Sequence, residues 1–177
     1  MMKKVVAIIL ILIILLTTGC NKTDVSDLEF YVISREHLTQ DLSDNQIVSS
    51  AQKNGRLAFN GSDIEGYNWE THTVTLKDNS VTSHGAVTAE SGGSAIFKVD
   101  DTFAFVILIN NKLVYCGGFI QGSKNPSIPL QPYIEDVEST VFKIGFDSKY
   151  SSDKDSRSNN QLYSFLNKTG LLSSKIN

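Results

Sequence analysis

Cys116 has the side chain whose chemistry is the simplest to imagine, because a thiol beside a histidine can act as a nucleophile. It precedes Gly117 and Gly118, whose backbone amides could stabilise an oxyanion, and His72 or His84 could serve as the base. Cys116 also lies within an apolar run, where burial opposes formation of the reactive thiolate. We therefore expect a core cysteine in a noncatalytic protein, with a small thiol hydrolase as the alternative.

Metal and cofactor chemistry is not indicated by the sequence. The histidines His37, His72 and His84 lack the close spacing that places two imidazoles on one metal ion. The chain also contains no G-x-S-x-G, no H-E-x-x-H and no phosphate-binding glycine loop. We expect no metal and no cofactor.

Tyr67, Trp69 and His72 form a second group of side chains, at the entrance of a predicted strand. Two aromatic rings and a titratable imidazole are suited to binding a small molecule or a peptide. The more ordinary interpretation of His72 is a core histidine whose ring nitrogens are satisfied by hydrogen bonds. Both interpretations stay open for these three residues.

The amino-terminal segment has the layout of an export signal. The basic start Met1–Lys4 precedes an apolar run from Val5 to Leu16, which is too short for the roughly 20 residues that cross a bilayer. Small residues then lead to a cysteine in Leu16-Thr17-Thr18-Gly19-Cys20. This segment resembles the signal peptide and lipobox of bacterial lipoproteins. The resemblance implies cleavage before Cys20, acylation of its sulfur and anchoring on the outer side of the cytoplasmic membrane.

Charge and composition narrow the expected partners. Loss of residues 1–19 would remove Lys3 and Lys4 and no acidic residue, so the net charge would change from −3 to about −5. An acidic chain without a basic run is not suited to nucleic acid. The chain is poor in Pro and Arg and rich in Asn, Ser, Lys and Ile, which is typical of proteins from AT-rich genomes. This composition favours a Gram-positive cell, with the lipoprotein on its surface.

Hydrophobic patterns predict the elements that position these residues. Residues 20–27 are expected to form a polar tether and residues 28–177 a single domain. Leu28–Ile33 and Arg56–Phe59 have strand patterns, and Ser43 with Gln46 forms a capping box for a helix that extends to Asn54. Thr71–Lys77 alternates cleanly, which places His72 on its apolar face.

Three further strands are predicted to follow one another as hairpins, at 95–99, 103–109 and 113–120. The middle one is apolar on both faces and should be covered on each side. Another strand is expected at 141–146, before a terminal helix that carries Leu162, Phe165 and Leu166 on one face. We therefore expect an α+β fold with a mainly antiparallel sheet of about five to seven strands and a short helix near each end.

The combined expectation is a membrane-anchored extracytoplasmic lipoprotein that binds a protein, a peptide or a small ligand. Its contact with the membrane would be the lipid on Cys20. This expectation has two alternatives: the small thiol hydrolase, and an extracytoplasmic sensor or immunity protein.

Overall fold

The computed structural model describes residues 23–39, 41–77, 102–119, 132–138, 140–147 and 155–173. Eight strands and two α-helices lie in these ranges: β1 Leu28–Ser34, α1 Asp44–Asn54, β2 Arg56–Asn60, β3 Ile64–Asn68, β4 Thr73–Leu76, β5 Phe103–Ile109, β6 Lys112–Phe119, β7 Tyr133–Glu138, β8 Val141–Gly145 and α2 Asn160–Thr169. Short 3₁₀ turns occupy Val25–Asp27, Arg35–His37, Gly61–Asp63 and Ser156–Ser158.

The eight strands form one mixed sheet in the order β2-β1-β5-β6-β7-β8-β4-β3. Each neighbouring pair is antiparallel except β6 and β7, which run parallel. The edge strands β2 and β3 are joined by only the turn Gly61–Asp63, so the sheet must curl until its edges approach each other. The α+β class is confirmed.

The predicted number of five to seven strands was wrong, since the described residues form eight. The hydrophobic pattern did not reveal β3 and β7. β3 carries Glu65, Gly66 and Asn68, and β7 is rich in acidic residues, so neither segment has the composition of an isolated strand. Their neighbours supply the pairing: β3 bonds to β4, and β7 lies between β6 and β8. Tertiary context therefore decides the conformation of these two segments.

Aromatic rings fill the interior of the curled sheet. The Phe30 ring stacks on Phe59 at 4.5 Å and on Phe105 at 5.3 Å between centroids, and it meets Phe142 edge-on at 6.0 Å. Phe142 belongs to β8, five strands from β2 in the sheet order, and it lies 5.7 Å from Phe59. Both halves of the sheet therefore share one core, which also receives the apolar face of α2: Leu162, Phe165 and Leu166.

The outer face of β1, β5 and β6 is covered by α1. Ile33, Ala104, Val106 and Leu108 pack there with Ala51 of the helix. The prediction that 103–109 is covered on both faces is confirmed, since Phe105 and Ile107 point into the interior. The capping box is also confirmed: the Ser43 backbone N–H donates to Gln46 Oε1 at 2.9 Å, and the helix begins at Asp44.

The segment predicted as a tether, residues 20–27, includes a 3₁₀ turn at Val25–Asp27. Asp24 caps the turn Val25–Asp27 by accepting a hydrogen bond from the Ser26 N–H at 3.0 Å. The Val25 carbonyl lies so close to Gly61 that a Cβ atom there would clash with it. The turn Val25–Asp27 thus packs against Gly61, and local capping gives this polar segment a defined conformation.

Backbone hydrogen bonds fix both ends of the described chain to neighbouring parts of the fold. Asn110 and Asn111, at φ 52° and 57°, form the predicted hairpin turn between β5 and β6, and the Asn110 N–H donates to the Asp27 carbonyl at 3.0 Å. After α2 the chain runs along the outer edge of β3. There the Tyr67 N–H donates to the Leu171 carbonyl at 2.7 Å, and the Ser173 N–H donates to the Tyr67 carbonyl at 3.0 Å.

Two further predicted elements are confirmed, and three predicted features lie outside the described residues. The strand predicted at 141–146 is β8, and the terminal helix is α2. The strand predicted at 95–99, His84 and Cys20 lie outside the described residues. Within the described ranges, neither helix has the length and apolarity needed to cross a bilayer.

Candidate functional site

His72 lies in the turn between β3 and β4, although the alternation predicted a strand from Thr71. Its φ angle is 53°, in the left-handed region that non-glycine residues seldom adopt, so β4 begins only at Thr73. Asn68 shapes the turn: its Oδ1 accepts hydrogen bonds from the N–H groups of Glu70 and Thr71 at 3.0 and 3.1 Å. The His72 carbonyl accepts from the Ile144 N–H at 3.0 Å, which ties the turn to β8.

The His72 imidazole is only 8% exposed and is hydrogen-bonded. Its Nδ1 lies 3.0 Å from the Tyr67 hydroxyl. Burial, together with the Arg157 cation, lowers the pKa of His72, and burial raises the pKa of Tyr67. Both side chains are therefore neutral at pH 7, and the phenol remains able to donate to the ring.

Trp69 brings α2 into contact with this turn. Its ring lies 5.7 Å from His72, 5.9 Å from Tyr67 and 4.9 Å from Tyr163, measured between centroids. The Trp69–Tyr163 contact is edge-to-face, a favourable geometry for aromatic pairs. The structure thus brings Tyr67, Trp69 and His72 together and adds Tyr163. The sequence signal for Tyr163 was its position beside the apolar stripe of the predicted terminal helix.

An ion pair of Asp155 and Arg157 lies near the same cluster. The guanidinium binds the carboxylate in a fork, with Nε 2.9 Å from Oδ1 and Nη2 2.7 Å from Oδ2, and Nη1 donates to the Ile144 carbonyl at 2.9 Å. Burial raises the pKa of Asp155, but the hydrogen bonds from Arg157 outweigh it and hold that pKa below its ordinary value. The sequence pattern does not indicate this pair, because its contact with Ile144 of β8 forms only on folding.

Tyr115 of β6 adds a buried hydroxyl to the cluster. The residue is 5% exposed, and burial raises its pKa well above the usual value. Its Oη lies near the Tyr67 hydroxyl, close enough for each to affect the pKa of the other, but it makes no hydrogen bond of good geometry. Tyr115 therefore carries the cost of a desolvated hydroxyl without full compensation.

The interior beside Tyr67 has little free space. The cavity that Tyr67 borders has a volume of about 20 Å³ and is otherwise lined by apolar side chains such as Phe30, Val74 and Ile144. That volume holds about one water molecule, whereas sites for drug-sized ligands measure several hundred Å³. Contact with a partner at this cluster would therefore use the outer side of Trp69 and Tyr163, which are half-buried.

Cys116 is not brought to His72, the described one of the two histidines proposed as its base. Its side chain is half-buried and packs with the residues under α1, whereas its neighbour Tyr115 points into the interior, on the side of Tyr67 and His72. Burial raises the pKa of Cys116, which opposes thiolate formation. The N–H of Gly118 donates to the Pro132 carbonyl at 3.0 Å, so it is already engaged.

Within the described ranges, no three His, Cys, Asp or Glu side chains lie together as metal ligands would. Comparisons with protein-family models, with curated proteins and with solved structures gave no match to this chain.

Proposed function

We propose that this chain is a lipid-anchored extracytoplasmic binding protein without catalytic activity. One sequence feature carries the proposal: a basic start and an apolar run end in Leu16-Thr17-Thr18-Gly19-Cys20. Acylation of Cys20 would hold the protein at the outer side of the membrane, on a Gram-positive surface. Stable anchoring requires more than one acyl chain, since a single chain gives only marginal binding.

The noncatalytic part of the proposal is supported by the surroundings of Cys116. A thiol hydrolase needs an exposed thiolate beside a base, and Cys116 is packed under α1 on the opposite face of the sheet from His72. A sensor or immunity protein would also act by binding, so those roles belong to the same class.

We propose that the partner contact lies at the outer side of Trp69 and Tyr163 and that the partner is a protein or a peptide. The small cavity beside Tyr67 leaves no room for a ligand of ordinary size. Tryptophan and tyrosine are enriched among the residues that dominate binding energy at protein interfaces. The edge-to-face packing on Tyr163 holds Trp69 in place, so little side-chain entropy would be lost on binding.

Metabolic labelling with a palmitate analogue tests the anchor. Wild-type protein should incorporate the label and lose residues 1–19, as read by mass spectrometry of the mature amino terminus. Cys20→Ala should remain unlabelled, and the matched control Cys116→Ala should be labelled like wild type. An unlabelled wild-type chain that retains Met1 would overturn the proposal.

Site-specific photo-crosslinking in intact cells tests the partner surface. A benzophenone residue at Tyr163 should give a discrete crosslinked product, whereas the same group at Lys53, an exposed position of α1, should give none. Trp69→Ala should weaken the Tyr163 product at least severalfold. A product that forms equally at both positions, or at neither, contradicts the proposed site of partner contact.

A further inference from the structure

The amino-terminal end of the described chain is fixed to the domain a few residues after the proposed lipid. The turn Val25–Asp27 packs on Gly61, and the Asp27 carbonyl accepts a hydrogen bond from the Asn110 N–H at 3.0 Å. Asp24 closes the turn with its own N–H, which donates to Asp27 Oδ2 at 3.1 Å. The chain therefore enters the sheet at a defined place rather than through a long linker.

Thr23 lies in a groove beside α2. The groove has a volume of about 180 Å³, and it is lined by Thr23, Asn110 and the exposed helix residues Gln161, Ser164 and Lys168. These three helix residues repeat at the spacing of one helical face, since each residue advances about 100° around the axis. The exposed face of α2 is therefore the surface next to the entering chain.

Thr23 follows Cys20 by three positions, and an extended chain of that length spans at most about 11 Å. The orientation of the domain then rests on the proposed lipidation of Cys20, which would put that residue at the bilayer surface. We infer that the exposed face of α2, with Thr23 and Asn110, lies against the lipid headgroups. The surface that faces this groove is the membrane itself, because a connection of at most about 11 Å holds the groove close to the lipid on Cys20.

The chemistry of this face suits contact with headgroups rather than insertion into the apolar interior. Of the residues that line the groove, Lys168 alone is charged, and the exposed helix positions are polar. Attraction to anionic lipid requires a cluster of basic residues, so one lysine gives little preference for anionic membranes. The short connection, and not charge, sets the orientation.

The proposed partner surface stays clear of this face. Tyr163 lies about 160° around α2 from Gln161, because two helical steps cover about 200°. Trp69 contacts α2 from the Tyr163 side. Membrane contact and partner contact would thus use different sides of the same helix.

Fluorescence quenching in vesicles tests the orientation with the full lipidated chain. A bimane label is placed on Ser164→Cys or Glu36→Cys, each in a Cys116→Ala background, and the vesicles carry nitroxide-labelled headgroups. Glu36 is the matched control because it is exposed and follows the far end of β1, which lies about 20 Å from Leu28 at 3.3 Å per residue. The label at position 164 should be quenched at least threefold more than the label at position 36, in neutral and in anionic vesicles alike.

A variant with 20 Gly and Ser residues inserted between Lys22 and Thr23 should lose that difference while mass spectrometry still shows the lipid. Equal quenching at positions 164 and 36 in lipidated protein without the insertion overturns the orientation and leaves the proposed anchor intact. Absence of lipid on Cys20 in the mass spectrum overturns the anchor and, with it, the orientation. The two failures are therefore distinguishable.

Discussion

Three side chains of the cluster, Tyr67, His72 and Tyr115, differ in how well their polar atoms are satisfied. Tyr67 and His72 share a hydrogen bond, whereas the Tyr115 hydroxyl is buried without one. A hydroxyl that satisfies a buried partner stabilises the fold, and one that satisfies nothing does not.

Removal of the two phenol hydroxyls should therefore have unequal effects. Tyr67→Phe leaves the His72 Nδ1 without a partner and should lower the free energy of unfolding by about 1–2 kcal/mol. Tyr115→Phe removes an uncompensated buried hydroxyl and should leave that free energy unchanged or slightly higher. Urea unfolding of both variants measures the difference, and equal losses would contradict the assignment.

His72 should make stability depend on pH. The folded state lowers the pKa of the imidazole, so the unfolded chain, with a pKa near 6.5, takes up a proton first on acidification. Stability should fall as the pH drops below about 6.5 and level off below the pKa of the folded state. His72→Asn does not titrate there and tolerates the left-handed turn, so it should lack this component.

Thermal unfolding of wild type and His72→Asn between pH 7.5 and pH 5 measures the difference. Comparing the two chains cancels the contribution of Glu29, which is common to both and is not influenced by His72. The His72 charge helps to lower the pKa of Asp155, so the difference between the chains reports His72 together with its effect on Asp155. Parallel pH profiles would show that His72 is not the group responsible.

At the scale of elements, the ends of α2 are defined by specific residues. Asn159 caps the first turn by accepting hydrogen bonds from the Gln161 and Leu162 N–H groups at 2.8 and 3.2 Å. Gly170 ends the helix at φ 75°, with open space where a Cβ would be. Position 170 therefore favours glycine because of its backbone φ angle, and not because a side chain would clash there.

Gly170→Ala should lower the free energy of unfolding by about 1 kcal/mol, the cost of a left-handed conformation in a residue with a Cβ. Gly170→Asn is the matched control and should cost less, because asparagine tolerates this region. Chemical denaturation compares the two. Equal losses would indicate a packing effect instead.

Local signals were enough to predict elements with strong patterns. The Ser43 capping box, the Asn110-Asn111 turn, the apolar strand β5 and the stripe of α2 depend on neighbouring residues, and all are confirmed. The parallel pairing of β6 with β7 and the edge position of β3 depend on distant residues, so periodicity could not reveal them. Tyr67, Trp69 and His72 were grouped correctly by proximity, but Tyr115 and Arg157 join them only through folding.

The whole molecule depends on the closeness of the two halves of its sheet. Phe142 contacts Phe30 and Phe59 across the interior, so the strands at opposite ends of the sheet order share one core. Such a core should unfold in a single cooperative transition.

Phe142→Ala should lower the free energy of unfolding by about 3–5 kcal/mol, from lost burial and the cavity that remains. Phe142→Leu should lose less, because it fills part of the same volume. Fluorescence of Trp69, the single tryptophan, and far-ultraviolet circular dichroism should report coincident transitions in both variants. Separate transitions would show that the two halves unfold independently.

The backbone pairing of Leu171 and Ser173 with Tyr67 has a consequence for how the protein behaves among its own copies. An uncovered strand offers free amides and carbonyls to another molecule and can start aggregation. Residues 171–173 cover the outer edge of β3 at Tyr67, and proteolytic cleavage after Gly170 would expose that edge. Solubility in a crowded environment would then depend on a short carboxy-terminal segment, whose Leu171 also packs in the hydrophobic core.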